Sequence, residues 1–472
     1  MVSKTCVIIG AGPAGLAAAY KAQQLGWQVV CLEKNDFPGG KGGTLDREGC
    51  RVDFGPHAYH PLSNEVTDFL LAHSHGELVD VPVVQRLYIT DTPLHYPLNI
   101  REVFSKFNFG LKYRIARDLL TVRFKNLIET LPRATFKQWG IANYGQTLYD
   151  LCFGWYSERV WGISADALSV EFAKRKLPNI SVGRLLLGAL LKLKPRRLND
   201  KSYLDLHRYM YHRRGIGTVY RNIAQGLKER GANFIYNARI ESFVLDDARC
   251  VRAIKLAGPQ AQHIACDYVI STAPCDELAG WMPTLPLLKT HQPAIRFKQG
   301  IIINVLLNRP SMSDAHWIYL VNRRFKFNRL SEPKNFSAGL VPQGKTLVML
   351  EIICSADDPR WDWGPSRWRP EALNDLSFFG VKDTEIEKIF LTKMEKAFPF
   401  YLAGYERSKS AYLQILSQVS NFITTGRYGL YVDINMHDAM VLGFEAVGFL
   451  SKGEPASFYQ QHEQICLKHR DH

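Results

Sequence analysis

The 472-residue chain is short of acidic residues, paired cysteines and long apolar runs. Its 45 Asp and Glu stand against 59 Lys and Arg, which gives a net charge of +14 at pH 7. Such an excess indicates an anionic partner, so an anionic small molecule, an anionic membrane surface and nucleic acid are all open at this point. A hydrophobic fraction of 46% and a charged fraction of 22% exclude a disordered chain, a collagen and a coiled-coil rod.

The nine cysteines are scattered, and no two of them have the CxxC spacing of a zinc or redox motif. Neither a metal site nor a disulfide framework is expected, and a reducing, cytoplasmic location fits better. The longest apolar runs, such as residues 185–191, fall far short of the roughly 20 residues that a spanning helix needs. Because a strand-like run already begins near residue 6, no secretory leader is expected.

That strand-like run leads into GAGPAG at residues 10–15 and then into strong helix formers, which is the context of a dinucleotide-binding fingerprint. Gly10 permits a tight turn, Gly12 lets the backbone approach a pyrophosphate, and Gly15 lets the helix pack on the strand. The helix N-terminus would hold the phosphates. A second strand-like run ends at Glu33, 18 residues beyond Gly15, where a carboxylate can accept hydrogen bonds from a ribose.

A second glycine-rich loop favours FAD over NAD. The run GGKGG at residues 39–43 closely follows the ribose carboxylate, and VDFGPHAYH follows at residues 52–60. An NAD domain has no need of such a loop, whereas an FAD site needs the chain to pass closely along the ribityl group and the isoalloxazine ring. FAD is therefore the expected cofactor.

These residues resemble the flavin family that includes UDP-galactopyranose mutase, protoporphyrinogen oxidase and the amine oxidases, and GPHAYH at residues 55–60 is most similar to the mutase. The resemblance implies an α/β fold: a discontinuous Rossmann-like FAD-binding domain and a substrate domain of mixed sheet plus helical cap. The FAD-binding domain is expected at residues 1–75, 205–280 and 400–460, and the substrate domain at residues 76–204 and 281–399.

Residues 205–280 return to an α/β pattern, with predicted strands at 233–236 and 240–245 and a following hairpin. In the family this hairpin covers the adenine, which implies a backbone contact near Ile240. Residues 75–200 are predicted to be mostly helical, and residues 295–355 to contain strands.

Near the end of the chain, NFITTGRYG at residues 421–429 and the following NMHD again resemble the mutase group. The resemblance implies a helix N-terminus near Met436 that points at the N1/C2=O edge of the flavin, where its dipole and amides stabilise negative charge on a reduced flavin. Arg427 would hold the flavin or the substrate from the other side, and a surface salt bridge is the alternative for it.

The resemblance implies two sets of residues. The residues expected at the cofactor are Gly10, Gly12, Pro13, Ala14, Gly15, Glu33, Lys34, Gly40, Lys41, Gly55, Pro56, His57, Ile240, Gly426, Arg427, Asn435, Met436 and His437. The residues expected to take part in catalysis are His57, His60, Arg427 and Lys298. Lys298 lies roughly where amine oxidases carry a lysine bonded to a water over flavin N5.

Substrate-side candidates are less specific. Trp161 and Arg175 have the spacing at which the mutase places a Trp against a nucleotide base and an Arg near phosphates, with a core Trp and a solvated Arg as the alternative. Arg329 and Lys334 are candidates for the same pocket. Asp433 occupies the position of a mutase Tyr that touches the substrate pyrophosphate, and a carboxylate there would repel a diphosphate.

The positive charge is concentrated in residues 184–214, which hold nine Lys or Arg against two Asp. Beside an apolar run, this stretch indicates a peripheral membrane contact or an acidic, lipid-linked substrate, with a solvated helix as the alternative. Nucleic acid is not expected as a partner, because the sequence contains no nucleic-acid-binding module.

Three functions remain open. The first is an FAD-dependent oxidoreductase in which flavin N5 accepts a hydride from a C–H bond of a small-molecule substrate, with O2 or another acceptor reoxidising it. The second is a redox-neutral mutase or isomerase acting on a nucleotide sugar or a similar substrate. The third, a binding protein with a vestigial flavin site, is disfavoured by the complete set of glycines, Glu33, His57 and Arg427. Oligomeric state and electron acceptor stay open.

Overall fold

The computed structural model describes residues 3–96, 102, 105–128, 131, 133–171, 208–291 and 295–468. Arg175 and residues 184–207 of the basic stretch lie outside these ranges. The chain divides into two compact units. The first comprises Met1–Val81, Arg208–Arg296 and Glu406–His472, and the second comprises Pro82–His207 and Phe297–Tyr405.

The first unit is built on a five-stranded parallel sheet. Its strands are β1 (Thr5–Ile9), β2 (Gln28–Leu32), β9 (Asn233–Ile235), β13 (Tyr268–Ser271) and β19 (Phe422–Thr424). Their order across the sheet is β19-β13-β1-β2-β9. Cys6, Val7 and Ile8 in the central strand are fully buried, as expected for a parallel sheet that is covered on both faces.

The remaining described strands of the first unit form three smaller sheets. These strands are β3 (Thr44–Arg47), β4 (Cys50–Asp53), β5 (Leu78–Pro82), β8 (Arg208–His212), β10 (Arg239–Leu245), β11 (Val251–Ala257) and β12 (Gln262–Ala265). Strand β3 pairs with β4 and β5 with β8, and β10-β11-β12 form a separate sheet.

Eight described helices belong wholly or mainly to the first unit. They are α1 (Pro13–Gln24), α2 (Asn64–Ala72), α6 (Gly217–Glu229), α7 (Cys275–Trp281), α8 (Leu287–His291), α10 (Tyr405–Leu416), α12 (Met436–Ser451) and α13 (Pro455–Lys468), beside the short turn α11 (Gly426–Gly429). Helix α12 crosses α1 at close range, because a Cβ atom on Gly443 would lie 2.2 Å from the carbonyl oxygen of Ala14.

The second unit contains a seven-stranded mixed sheet. Its strands are β6 (Gln85–Tyr88), β7 (Leu94–His95), β14 (Phe297–Leu307), β15 (Trp317–Leu320), β16 (Arg329–Ser331), β17 (Thr346–Cys354) and β18 (Ile386–Pro399). Their order is β18-β14-β17-β16-β15-β6-β7, and β6 runs parallel to β15 while the other pairs are antiparallel. All nine residues of β17 are buried, which places this strand in the core of the unit.

Helices flank this sheet. They are α3 (Phe109–Ile128), α4 (Phe136–Tyr149), α5 (Trp155–Trp161) and α9 (Pro365–Leu376), with a π-helical turn at Asp150–Gly154. The expectation that residues 75–200 are mostly helical is wrong for β5, β6 and β7. Residue Leu87 in β6 is buried by pairing with Tyr319 of β15, so contacts far apart in the sequence override local preference. Within the described part of the chain, no helix is long and apolar enough to cross a membrane.

Candidate functional site

The turn between β1 and α1 is held open by glycines. Gly10 has a φ of +95°, and a Cβ atom there would lie 2.3 Å from the hydroxyl oxygen of Thr272. A Cβ atom on Gly15 would lie 1.8 Å from the carbonyl oxygen of Gly10, so only glycine lets the helix begin this close to the strand. Helix α1 starts at Pro13 with no side chain capping its N-terminus and no acid in its first turn. Its amides are therefore left to a ligand, and an anion is favoured there.

The second glycine-rich loop lies against the first. The amide of Gly39 donates to the carbonyl oxygen of Ala11 at 2.8 Å, and a Cβ atom on Gly40 would lie 3.3 Å from the Cα of Gly12. By contrast, a Cβ atom on Gly12 itself would meet only the Cα of Gly40, at 4.0 Å. The backbone of Gly12 thus borders open space, which is where a bulky side chain would block a phosphate group.

Glu33 ends β2 and is only 4% exposed. Its carboxylate accepts hydrogen bonds from the amide of Ala11 at 2.7 Å and from the amide and side-chain nitrogen of Asn35 at 2.9 and 2.8 Å. Burial raises the pKa of Glu33, and these hydrogen bonds act in the opposite direction. The carboxylate is therefore fixed beside the turn between β1 and α1, and one of its four lone pairs is left to accept a hydrogen bond from a ribose hydroxyl.

The histidine loop follows β4. Gly55 has a φ of +141°, and the amide of His57 donates to its carbonyl oxygen at 2.7 Å. His60 is 9% exposed, and its ring meets that of Tyr209 edge-on at 4.9 Å. Pro56 and His57 are half-buried. The hydrogen bond within the loop and the contact with Tyr209 hold these residues in place. Their contact with a flavin stays a prediction.

A buried network that the sequence did not reveal lies under the same loops. Asp53 accepts hydrogen bonds from the hydroxyls of Thr44 at 2.5 Å and Tyr211 at 2.6 Å, and Thr44 in turn accepts from the amide of Gly217 at 2.8 Å. Burial raises the pKa of Asp53 to about 7, against the lowering effect of these hydrogen bonds. A Cβ atom on Gly217 would lie 2.1 Å from the amide nitrogen of Thr44, so this glycine lets the start of α6 pack closely against β3.

The N-terminus of α12 carries the predicted NMHD residues. Asn435 caps the helix, and its amide donates to the carboxylate of Asp438 at 3.1 Å. The Nε2 of His437, a buried side chain, lies 3.2 Å from the same carboxylate. The hydroxyl of Tyr220 donates to the sulfur of Met436 at 3.0 Å. The helix start is thus fixed by several contacts within the first unit.

Arg427 makes a hydrogen bond and an ion pair with neighbouring residues of the chain. Its Nε donates to the carbonyl oxygen of Ile434 at 2.9 Å, and its Nη2 lies 3.5 Å from the carboxylate of Asp433. Asp433 has a side chain only 4% exposed, so the two charges compensate one another beside α12. A Cβ atom on Gly426, which has a φ of +74°, would lie 3.1 Å from Cβ of Ala14, which brings α11 against α1.

Other predicted cofactor residues lie on the same unit. Lys34 is exposed, Lys41 lies 5.6 Å from the ring of Phe54, and Ile240 is half-buried next to an irregularity in β10. The open space above Gly12, the uncapped α1 and the buried Glu33 fit a dinucleotide with two phosphates and a ribose. The first unit therefore has the features of an FAD-binding protein.

In the second unit, Lys298 of β14 is 2% exposed. Its Nζ donates to the hydroxyl of Ser355 at 2.6 Å and lies 4.2 Å from the ring centre of Phe400. A Cβ atom on Gly162 would lie 3.7 Å from this Nζ, so the amine sits beside a residue without a side chain. Burial lowers the pKa of Lys298, while Cys354, Asp357 and Asp358 act to raise it. Lys298 therefore loses its proton at a lower pH than a surface lysine does.

Trp161 belongs to the same cluster. Its ring stacks on Phe400 with an interplanar angle of 5° and a centroid distance of 5.9 Å, and it is 5% exposed. The structure thus brings Trp161 and Lys298 together through Phe400. Ser355, Phe400 and Gly162 were missed by sequence analysis, because none of them stands in a recognisable motif.

The two remaining substrate candidates are occupied with structural contacts. The Nε of Arg329 donates to the carboxylate of Glu351 at 3.2 Å across β16 and β17. Lys334 donates to the carbonyl oxygens of Pro310 and Lys345. Their role toward a substrate stays a prediction, as does that of Arg175, which lies outside the described ranges.

Comparison with known proteins identifies the family. The family described as "Flavin containing amine oxidoreductase" matches residues 13–362, so the chain belongs to it. The predicted family resemblance, the α/β fold and FAD as cofactor are thereby confirmed. The chain is 25% identical to the chloroplastic prolycopene isomerase of Arabidopsis thaliana over 446 residues, which cover 86% of this chain and 72% of the relative.

Of two other similarities, one is confined to a short stretch of sequence and the other is a similarity of structure at low sequence identity. A stretch of 56 residues, 12% of each chain, is 46% identical to the 1-hydroxycarotenoid 3,4-desaturase of a Flavobacterium. A crystal structure of reduced UDP-galactopyranose mutase superposes with a TM-score of 0.82 at 19% identity, covering 98% of this chain and 99% of the mutase chain. The similarity to the mutase structure, at this low sequence identity, shows a common fold and not a common function.

Proposed function

We propose that this protein is an FAD-dependent oxidoreductase that oxidises a C–H bond of an uncharged, largely apolar small molecule. The observation that carries the proposal is the buried Lys298, which combines a lowered pKa with a fixed hydrogen bond to Ser355. Ionisable groups whose pKa is shifted by burial and that have a specific polar partner are concentrated at functional sites.

FAD, when bound, would supply the acceptor, since a flavin N5 can take up a hydride from a substrate carbon. The C–H bond breaks with both electrons, and a proton then leaves a neighbouring substrate atom. Neutral Lys298 is the proposed acceptor of that proton, and O2 or another external acceptor takes up the electron pair. Ser355 orients the amine through its 2.6 Å hydrogen bond.

The contacts of three cations in the described part of the chain favour an uncharged substrate. Arg329 is compensated by Glu351, Arg427 contacts Asp433, and Lys334 is bound to backbone carbonyl oxygens. A diphosphate would have to displace these partners, at a cost of about 1 kcal/mol or more for each hydrogen bond. The relatives named for prolycopene and for a hydroxycarotenoid support an apolar substrate class.

A redox-neutral isomerisation is the second candidate. The relative that is 25% identical over 86% of this chain is named an isomerase, and the structural similarity to the mutase covers 98% of this chain. In this case the electron pair returns to the substrate and no external acceptor is consumed. A nucleotide-sugar substrate is the form of this alternative that the resemblance to the mutase implies.

Anaerobic mixing separates the two reactions. The purified flavoprotein is mixed with prolycopene, with phytoene and, separately, with UDP-galactopyranose, while the flavin absorption band and the product mass are followed. Bleaching by an apolar substrate, with a product two hydrogens lighter, supports oxidation. A product of unchanged mass that forms only after prior reduction by dithionite favours isomerisation and rejects the oxidative reaction.

A further inference from the structure

Helix α3 in the second unit carries an exposed apolar surface. Six of its large apolar side chains are between 61% and 83% exposed: Phe109, Tyr113, Leu120, Phe124, Leu127 and Ile128. At 3.6 residues per turn, the first five of these project within about a sixth of a turn of one another. They therefore form one continuous stripe, which is here called the α3 stripe.

The opposite side of the same helix already serves the core. Ile115 is 6% exposed and packs in a cluster with Leu87 and Phe107, and Leu111 and Leu119 pack against that cluster. The unit thus needs only one apolar side of α3. A contiguous apolar stripe on the other side is costly in water, and such surfaces mark an interaction site.

Basic residues border the α3 stripe on both sides. Lys112 and Arg123 lie along one edge and Arg117 along the other, while Arg114 and Lys125 lie farther round the helix. The helix has a single acid, Asp118, which accepts hydrogen bonds from the amide and hydroxyl of Thr147 at 2.9 and 2.6 Å and also pairs with Arg117.

The basic residues beside the α3 stripe indicate which kind of partner binds it. A second copy of the chain would bring the same basic helix and a net charge of +14 to the α3 stripe. The chain's own residues 184–214, as another occupant, are also strongly basic. Repulsion between like charges at close range opposes the binding of either one. An anionic lipid surface complements the basic edges and takes up the apolar stripe.

We propose that the α3 stripe docks this protein onto the surface of an anionic lipid bilayer. The 20-residue helix is about 30 Å long and would lie in the plane of the interface. Its five basic residues prevent it from spanning the bilayer, whereas they reach the headgroups when it lies flat. This docking is independent of which reaction the flavin site performs.

The test is co-sedimentation of the FAD-loaded full chain with vesicles of phosphatidylcholine, alone or with a minority of phosphatidylglycerol. The double variant Leu120→Ser, Phe124→Ser is expected to lose at least about tenfold in affinity for the mixed vesicles, because two apolar side chains no longer enter the interface. Its matched control is Leu287→Ser, Leu467→Ser, which removes two side chains that are 61% and 65% exposed elsewhere. This control is expected to bind as the unchanged chain does.

The charge is tested in the same way. Lys112→Gln with Arg123→Gln is expected to weaken binding to the mixed vesicles by about fivefold per charge and to reduce the preference for phosphatidylglycerol. The control Lys289→Gln, Lys452→Gln removes the same net charge from exposed positions elsewhere. FAD content and unfolding midpoint verify that each variant is folded. If the double variant is destabilised, Leu127→Ser alone gives the same comparison.

Three results would overturn the proposal. The unchanged chain could fail to sediment with either vesicle, or the stripe variants could bind as tightly as their controls. The third is a lower mass in light scattering for the Leu120→Ser, Phe124→Ser variant with unchanged vesicle binding, which would assign the α3 stripe to self-association.

Discussion

The first unit builds its site from backbone, whereas the second unit builds its cluster from side chains. In the first, missing Cβ atoms at Gly10, Gly12 and Gly15 shape the space, and the carboxylate of Glu33 is held by amides. In the second, the amine of Lys298 is held by the side chains of Ser355 and Phe400. A backbone site tolerates little change, while a side-chain cluster can be altered without loss of the fold. The two units are therefore expected to respond differently to substitution.

The largest effect is expected for Gly15→Ala in the first unit. The added methyl group would lie 1.8 Å from the carbonyl oxygen of Gly10, so β1 and α1 must separate. We expect a loss of about 3 kcal/mol in the free energy of unfolding and loss of FAD, measured by urea denaturation and released flavin. Gly280→Ala, where a Cβ atom meets nothing within 4 Å, is the control. Full FAD content in Gly15→Ala would show that the turn is not tightly packed.

Lys298→Met tests the second unit. We expect kcat to fall by at least about a hundredfold, because the proton acceptor is lost, while FAD content and unfolding midpoint remain unchanged. In the unchanged chain, kcat should fall as the pH drops through the lowered pKa of Lys298, and this acid limb should be absent in the variant. Lys345→Met, which removes an ion pair with Glu387, is the control. An unchanged pH profile in Lys298→Met would remove the lysine from the reaction.

Arg329→Met tests whether the second unit depends on paired charges. It leaves the carboxylate of Glu351, which is 8% exposed, without the guanidinium. We expect a loss of about 2 kcal/mol in unfolding free energy, below the value for a fully buried pair because the arginine side chain is 22% exposed. Adding Glu351→Leu should recover most of that loss. Equal stability of Arg329→Met and the unchanged chain would show that the pair contributes little.

The smallest effect concerns Asp53 in the first unit. Its pKa of about 7 lies above the ordinary value of 3.8, so the folded state binds a proton that the unfolded state releases. Stability is thus expected to fall as the pH rises through 7, by about 0.7 kcal/mol between pH 6.5 and 7.5. Asp53→Asn should lack this dependence in denaturant titrations at the two pH values. A wild-type stability that does not change between them would refute the raised pKa.

The first unit could be predicted well because its signals are local. GAGPAG at residues 10–15 and Glu33 stand at the spacing of a dinucleotide-binding fingerprint, and Glu33 accepts a hydrogen bond from the amide of Ala11 within the same segment. The network under it could not be predicted, since Tyr211 and Asp53 are 158 residues apart in the chain. The hydroxyl of Thr44 directly after the second glycine loop is the only local signal for that network.

The second unit shows what sequence patterns leave out. Trp161, which was predicted to lie against a substrate, belongs to the Lys298 cluster, and its partner Phe400 is far along the chain. Its contact with a substrate stays a prediction. Arg329 looked like a free cation because its partner Glu351 is 22 residues away on the next strand. Strands β6 and β7 were taken for helix, since their pairing is decided by the sheet and not by their own residues.

The flavin content of purified Gly12→Val most directly tests the claim that a backbone cradle in the first unit holds FAD. A Cβ atom at Gly12 meets only one backbone atom, at 4.0 Å, so the variant should fold while its side chain fills the space for the phosphates. The unchanged chain and the control Gly448→Val, which points into open space, should release stoichiometric FAD, and Gly12→Val should release none while keeping its unfolding midpoint. Full FAD content in Gly12→Val, or an unchanged chain that takes up no FAD, would contradict the account.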